Sequence, residues 1–279
     1  MPGDSDLLAV EMDVLWSRDC RGRLLADTRH GHPAPHLVLA VTRHSLQVAV
    51  GARLPGRLAT TLTRLAGNAR PPLVPSVAPR GLESALALLR QEAGPVEVAA
   101  GTSYFVPGAP QFDAPATILR SGLTNVAGLR SRAPVAAGWT AAEWDALLAG
   151  ELGPWAMAER DGQVLSICHS ARLTSPGAEA GVWTNPGARG QGLASAVTAA
   201  WAGLFEPPRP FLFYSTSAGN HSSQRVASRL GLRQIGWLWQ ICPGPAGRRV
   251  GLAWAGEDCH RAPKPWHSEA VAAPHTMTA

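Results

Sequence analysis

The chain has 279 residues, 46% of them hydrophobic and 16% charged, which is enough apolar material for a sizeable core and argues against global disorder. With 25 Lys and Arg against 20 Asp and Glu, the formal charge is +5, too weak and too scattered to point to nucleic acid. Lys264, the sole lysine, stands in Pro-Lys-Pro, which excludes a Walker-type phosphate loop.

Cys20, Cys168, Cys242 and Cys259 are far apart and form no Cys-x-x-Cys pair. That usage predicts a reduced, cytoplasmic protein with neither a disulfide framework nor a metal site. The opening MPGDSDLLAVEMD is acidic and lacks the apolar stretch of a signal peptide. No run reaches the roughly 18 apolar residues of a membrane span, so no membrane partner is expected.

In chain order, LVLAVTR and LQVAVGA flank His44-Ser45 as a hairpin. Leu54, Leu58, Leu62 and Leu65 follow at helical spacing. A Pro-rich break from Arg70 to Pro79 precedes a second helix marked by Leu82, Leu86 and Leu89, which ends near Gly94-Pro95. VEVAA and SYFV read as strands. Residues 107–138 read as irregular apart from a strand at Thr117–Arg120, with a soft domain boundary near 130. Thr140-Ala-Ala-Glu143 has the form of a capping box, and Gly150 can close its helix. PWAMAER and QVLSICH flank Asp161-Gly162, a strong hairpin signal. EAGVWT (179–184) is the next strand. A glycine-rich turn, a helix carrying Leu193, Val197, Trp201 and Leu204, and the strand FLFYST (211–216) come after it. Asn220 caps a helix that Gly231 stops, and RQIGWLWQI completes the series. The tail from Pro243 is rich in Pro, Gly and Ala and is expected to be removable, unless Trp254 or Trp266 pins it to the body.

The segment that carries chemistry is Val182-Trp-Thr-Asn-Pro-Gly-Ala-Arg-Gly-Gln-Gly-Leu-Ala194. A strand ends, the chain turns, and a helix begins near Arg189-Gly190-Gln191-Gly192. Glycines at 190 and 192 leave backbone amides open to an anion. The helix start adds its positive dipole end, and Arg189 a full charge. Together these make a pyrophosphate cradle. A dinucleotide fingerprint would need a third glycine, and Ser195 stands there instead.

Thr184-x-Pro186-x-x-Arg189-Gly190-x-Gly192-Leu193-Ala194 resembles the acyl-CoA-binding signature of the GNAT superfamily of N-acetyltransferases. Asn220-His-Ser-Ser223-Gln-Arg-Val226-Ala-Ser-Arg-Leu230-Gly231-Leu232 resembles its second, Asn-led helix. The resemblance covers roughly 115–242. It implies an α/β (α+β) fold with a mixed, mostly antiparallel twisted sheet flanked by helices. It also implies acetyl-CoA as cosubstrate, with no metal. It places Val182, Trp183, Thr184, Arg189, Gly190, Gln191, Gly192, Leu193, Ala194, Asn220 and Ser223 at the cosubstrate. Residues 1–110 form an α/β region that is either a degenerate second half of the same fold or an unrelated cap, a choice the sequence leaves open. Residues 243–279 form the tail.

Two positions depart from the family pattern. Gly187 stands where a phosphate-loop side chain is usual. Ala227 stands seven residues after Asn220, where the family often carries a tyrosine that protonates the leaving thiolate. Tyr214 is the first substitute, with Ser223 or solvent behind it. Glu179, at the start of its strand, is the first candidate base, and His169 the second. Cys168 reads as a small buried hydrophobe, not a nucleophile. The expected activity is acetyl transfer to an amine on a small molecule or peptide. A catalytically weak CoA-binding or regulatory module is the alternative. A homodimer is left open, and nucleic acid is not expected.

Overall fold

The computed structural model describes residues 2–244 except 68, 69, 133, 134, 137 and 207. The tail after 244, with Trp254, Lys264, Trp266 and Cys259, lies outside the described residues. Nine strands build one sheet: β3 (Leu37–Val41), β4 (Leu46–Val50), β5 (Val96–Phe105), β6 (Thr117–Arg120), β7 (Trp155–Arg160), β8 (Gln163–Leu173), β9 (Gly177–Thr184), β10 (Phe211–Ser217) and β11 (Arg233–Pro243). Their order is β4-β3-β11-β5-β10-β9-β8-β7-β6. Every pairing is antiparallel except β9 with β10. The fold class expected from sequence is the one observed. VEVAA and SYFV are one continuous strand, β5.

The Thr140 capping box forms as read. Glu143 N donates to Thr140 Oγ1 at 3.2 Å, and Thr140 N to Glu143 Oε2 at 2.9 Å. It opens α5 (Ala141–Ala149), which Gly150 closes at φ 83°. Asp161 and Gly162 both take positive φ, 53° and 75°, the mirror-image turn that suits a two-residue hairpin.

Two stretches depart from the sequence reading. Residues 4–15 form α1 (Asp4–Leu15), whose Leu7, Leu8, Glu11, Met12, Val14 and Leu15 are buried. That spacing is helical, but Glu11 interrupts its apolar stripe and hides it. The stretch 107–138, read as irregular beyond its one strand, also holds α4 (Val126–Arg132). A short pair outside the main sheet, β1 (Trp16–Arg18) with β2 (Leu24–Asp27), follows α1.

The sheet does not stop between residues 110 and 115, where the N-terminal region was expected to end. β5, from the N-terminal segment, lies between β10 and β11. It pairs Phe105 with Phe213 on one side and with Arg233 on the other. β11 in turn pairs with β3. Both sheet faces are covered. α6 (Leu193–Ala202) packs on β7, β8 and β9, and α7 (His221–Arg229) joins it near β10. Across the sheet, α1 lies over β8, β9, β10 and β11. α5 shares a buried cluster with Trp155, Ile167 and Trp183. α2 (Gly56–Gly67) and α3 (Leu82–Ala93) close the far end against β3 and β4 through Leu58, Leu62, Leu82 and Leu89.

Candidate active site

β9 and β10 start side by side and then part. Their ladder holds only Phe211 with Gly177, Leu212 with Ala178, and Phe213 with Glu179. Past that point β9 stays paired to β8 as far as Thr184, and β10 to β5 as far as Ser217. The two strands therefore open a wedge between them. A cleft of about 440 Å³ enters it, with Ala180, Val182, Trp183 and Thr184 on one wall and Tyr214 and Ser215 on the other.

The far end of the cleft is the predicted cradle. Asn185 Oδ1 accepts from Gly187 N at 3.0 Å and fixes a single 3-10 turn at Pro186–Ala188. Gly190 and Gly192 take φ of 80° and 82°, a conformation side-chain-bearing residues rarely adopt. The helix start read near Arg189 is later than that: α6 begins at Leu193, with Gly192 as an N-cap that offers no side chain. Its first amide-to-carbonyl bond is Ala196 N to Gly192 O at 3.1 Å. The amides of Leu193, Ala194 and Ser195 precede that bond and carry the positive end of the helix. Ser195 Oγ is buried at the cleft without a hydrogen-bond partner. Open amides, an orphan hydroxyl and two left-handed glycines fit a pyrophosphate.

Most of the predicted cosubstrate residues meet here. Val182, Trp183, Thr184, Arg189, Gly190, Gly192, Leu193, Ala194, Asn220 and Ser223 all line the cleft. Gln191 does not; its side chain turns outward and accepts from Arg160 Nη1 at 3.1 Å. Asn220 Oδ1 caps α7 by accepting from Ser223 N at 3.0 Å. Phe112 was not legible as a site residue. It lies 3.4 Å from where a Cβ on Gly192 would stand and flanks the cradle.

The three catalytic candidates fare differently. Tyr214 is 3% exposed and lines the cleft. Its hydroxyl and Ser223 Oγ are 2.6 Å apart, so the two proposed proton donors form one hydrogen-bonded unit. Burial pushes the Tyr214 phenol up, against the hydrogen bond to Ser223, so it keeps its proton at neutral pH. Ala227, fully buried, packs in the same cluster as Tyr214. The phenol thus comes from the strand, beside a helix position too small to supply one.

His169 is 7% exposed, and its imidazole is pushed down to about 3 by burial and then by the Arg29 charge. Arg29 Nη1 lies 3.1 Å from His169 Nε2, Nδ1 has no partner, and the Trp139 ring meets the imidazole edge-on at 5.5 Å. A neutral ring that resists protonation this strongly is a poor base for an ammonium group, which corrects its candidacy. Cys168 is fully buried, and burial raises its thiol further, in keeping with a core role.

Glu179 is fully buried and does not line the cleft. Its Oε2 accepts from Arg172 Nη1 at 2.8 Å, and its Oε1 accepts from Ser215 Oγ. Arg172 also grips Asp27 of β2 through Nε at 2.9 Å and through Nη2. Burial alone would push the Asp27 carboxyl up, but hydrogen bonds from His30 and the Arg172 charge outweigh it and hold it well below the usual range. Glu11 of α1 is fully buried beside this group, and neither of its oxygens has a partner. Burial first, then the Glu179 charge, pushes its carboxyl well up. Asp27, Arg29 and Glu11 were not legible as site residues, because nothing local in the sequence brings them to β8 and β9. Among the described residues no group of three or more His, Cys, Asp or Glu could hold a metal ion. No helix among them is long and apolar enough to cross a membrane.

A cleft threaded between parting parallel strands and closed by an amide-lined helix start takes a long ligand with phosphate at one end. A phenol that keeps its proton stands on its wall. Residues 118–233 match the family model described as acetyltransferase (GNAT) domain. Over these residues the chain is similar to the GNAT acetyltransferase domain. No curated protein matches the chain. Among solved structures, a putative GNAT-family acetyltransferase from Novosphingobium aromaticivorans is 22% identical, covering 71% of this chain and 84% of that one, with TM-score 0.38. A GNAT-family acetyltransferase from Colwellia psychrerythraea is 16% identical over 70% and 76%, TM-score 0.40. A GCN5-related N-acetyltransferase from Sphaerobacter thermophilus is 18% identical over 77% and 79%, TM-score 0.41. The likeness rests on the matched residues 118–233, not on these overlaps.

Proposed function

We propose that the protein transfers the acetyl group of acetyl-CoA directly to an amine acceptor. The observation that carries this reading is the cradle at the end of the wedge: left-handed Gly190 and Gly192, the uncapped start of α6 and the orphan Ser195 hydroxyl. These would hold the pyrophosphate, with Arg189 adding charge. The wedge between β9 and β10 would take the pantetheine arm. It leads toward Tyr214 and Ser215, where the thioester would lie.

Three tasks then fall to the protein. It polarises the thioester carbonyl, which a backbone amide of β9 near Val182 and Trp183 can do. It protonates the departing thiolate, the role of the Tyr214–Ser223 pair. It takes a proton from the acceptor, a task for the Glu179 side of the sheet. The nitrogen lone pair attacks the acetyl carbon, the carbon–sulfur bond breaks, sulfur takes the phenol proton of Tyr214, and the second proton lost by nitrogen passes through solvent to restore the phenol.

Calorimetry with CoA and thiol-release assays with acetyl-CoA against a panel of primary amines test the reading. We expect binding together with acceptor-dependent thiol release. Binding with no transfer to any amine would favour the CoA-binding module instead, a reading supported by Ala227 at the usual tyrosine position. The acceptor is a small molecule or peptide amine in this proposal, met in the cytoplasm.

A further inference from the structure

Glu179 and the cleft are separated by one side chain. Glu179 is fully buried and has no wall in the cleft, whereas Ser215 lines the cleft and donates its hydroxyl to Glu179 Oε1. Ser215 also lies across the wedge from Trp183, on the side away from α6 where α1 and α5 cover the sheet. The other carboxylate oxygen is already committed to Arg172. The carboxylate is thus fixed with one oxygen charge-paired and the other facing a hydroxyl that reaches the ligand space.

We propose that Ser215 is a catalytic residue that passes a proton from the acceptor ammonium to Glu179. This rests on the acetyltransferase reading above. The acceptor N–H bond breaks and its proton bonds to Ser215 Oγ. In the same step the Ser215 O–H bond breaks and its proton bonds to Glu179 Oε1. The electron pair of the broken N–H bond stays on nitrogen as the lone pair that attacks the acetyl carbon. Ser215 ends as a neutral hydroxyl, and Glu179 later returns the proton to solvent by the reverse path.

The surrounding charges suit this movement. Glu179 faces Arg172 on β8 and Glu11 on α1. Asp27 on β2 lies beyond Arg172, with Arg29 and His169 further along. When Glu179 takes the proton, Arg172 loses one counter-charge but keeps Asp27, so no buried cation is left unpaired. Burial and the Glu179 charge push the Glu11 carboxyl up, and Glu11 forms no ion pair with Arg172 among the described residues.

The test uses the full chain, acetyl-CoA and the panel of primary amines, with single-turnover rates, CoA affinity and thermal melts read together. Ser215→Ala should lower the single-turnover rate by about 10²-fold, the usual worth of positioned proton transfer. CoA affinity should stay within about twofold, and Ser215→Thr, which keeps a hydroxyl, should restore most of the rate. Glu179→Gln should lose about as much as Ser215→Ala, and the double variant no more than the worse single, because members of one relay are lost once. Ser215→Ala at the wild-type rate overturns the relay, as does a double variant whose losses multiply. If Glu179→Gln does not fold, the Ser215→Ala and Ser215→Thr pair decides alone. A wild type that binds acetyl-CoA and acetylates no amine overturns the acetyltransferase reading and the relay with it, which separates the two failures.

Discussion

Gly192→Val places the cradle under direct strain. Gly192 has φ 82°, and a Cβ there would stand 3.4 Å from two ring atoms of Phe112. The left-handed backbone alone costs a residue with a Cβ about 1–2 kcal/mol. An alanine adds little more, since 3.4 Å is close to ordinary contact. Valine adds two methyls on a stiff χ1, and they must press on Phe112 or project into the space the phosphates need. If the backbone yields instead, the amides of Leu193 and Ala194 turn away from the ligand. Either route should weaken CoA binding by well over tenfold, which is more than about 1.4 kcal/mol, with Gly192→Ala in between. Calorimetric titration with CoA measures the loss, and a thermal melt shows that the variant is folded. A folded Gly192→Val protein with undiminished CoA affinity would refute the cradle.

Three further outcomes follow from named contacts. Tyr214→Phe removes the phenol paired with Ser223 Oγ and should cut single-turnover rates about 10²-fold while CoA affinity holds; a normal rate would leave Ser223 or solvent as the proton source. His169, pushed down from 6.5 to about 3, is neutral in the fold while the unfolded chain takes up its proton below pH 6.5. Stability should therefore fall on this account as pH drops from 6.5 toward 3, by about 2 kcal/mol at pH 5, and unfolding curves of His169→Gln should lack that acid-side loss; equal slopes in the two proteins would contradict the shift. A fragment of residues 115–244 lacks β5, the strand between β10 and β11, and should show no cooperative thermal unfolding by circular dichroism; a sharp melt would show that the strand is dispensable.

Local chemistry was readable where one segment of chain supplies all of it. The Asp161-Gly162 turn, the Thr140 capping box and the Asn220 cap each follow from a few neighbouring residues and form as expected. What escaped the sequence depends on distant partners. Nothing in VEVAAGTSYF says that it lies between two strands more than a hundred residues away, because strand order is set by packing, not by local pattern. α1 was hidden by Glu11, a carboxyl in an apolar stripe, and that irregularity is the one that faces the Glu179 cluster. Gln191 shows the opposite error. It sits inside the motif, yet its side chain leaves the cleft, since a loop built from backbone amides does not need every side chain to point inward.

The position of Arg172 ties the N-terminal segment to the Glu179 cluster of the proposed site. A carboxylate buried as fully as Glu179 is stable only with a fixed counter-charge, and a cation buried beside it needs a carboxylate of its own when Glu179 is neutral. One arginine between two carboxylates meets both conditions, and the second carboxylate, Asp27, comes from β2. The same segment supplies Arg29 against His169 and Glu11 under β9, so three of its side chains set the electrostatics on the side of the sheet away from the cradle. The cradle itself is built from residues 184–195 and α7, with no ionised group from the N-terminal segment among the cleft-lining residues. In the proposed reaction, cosubstrate binding and proton removal draw on different parts of the chain. Substitutions in the N-terminal cluster are then expected to act on the rate of transfer, and those at the glycines on the affinity for CoA.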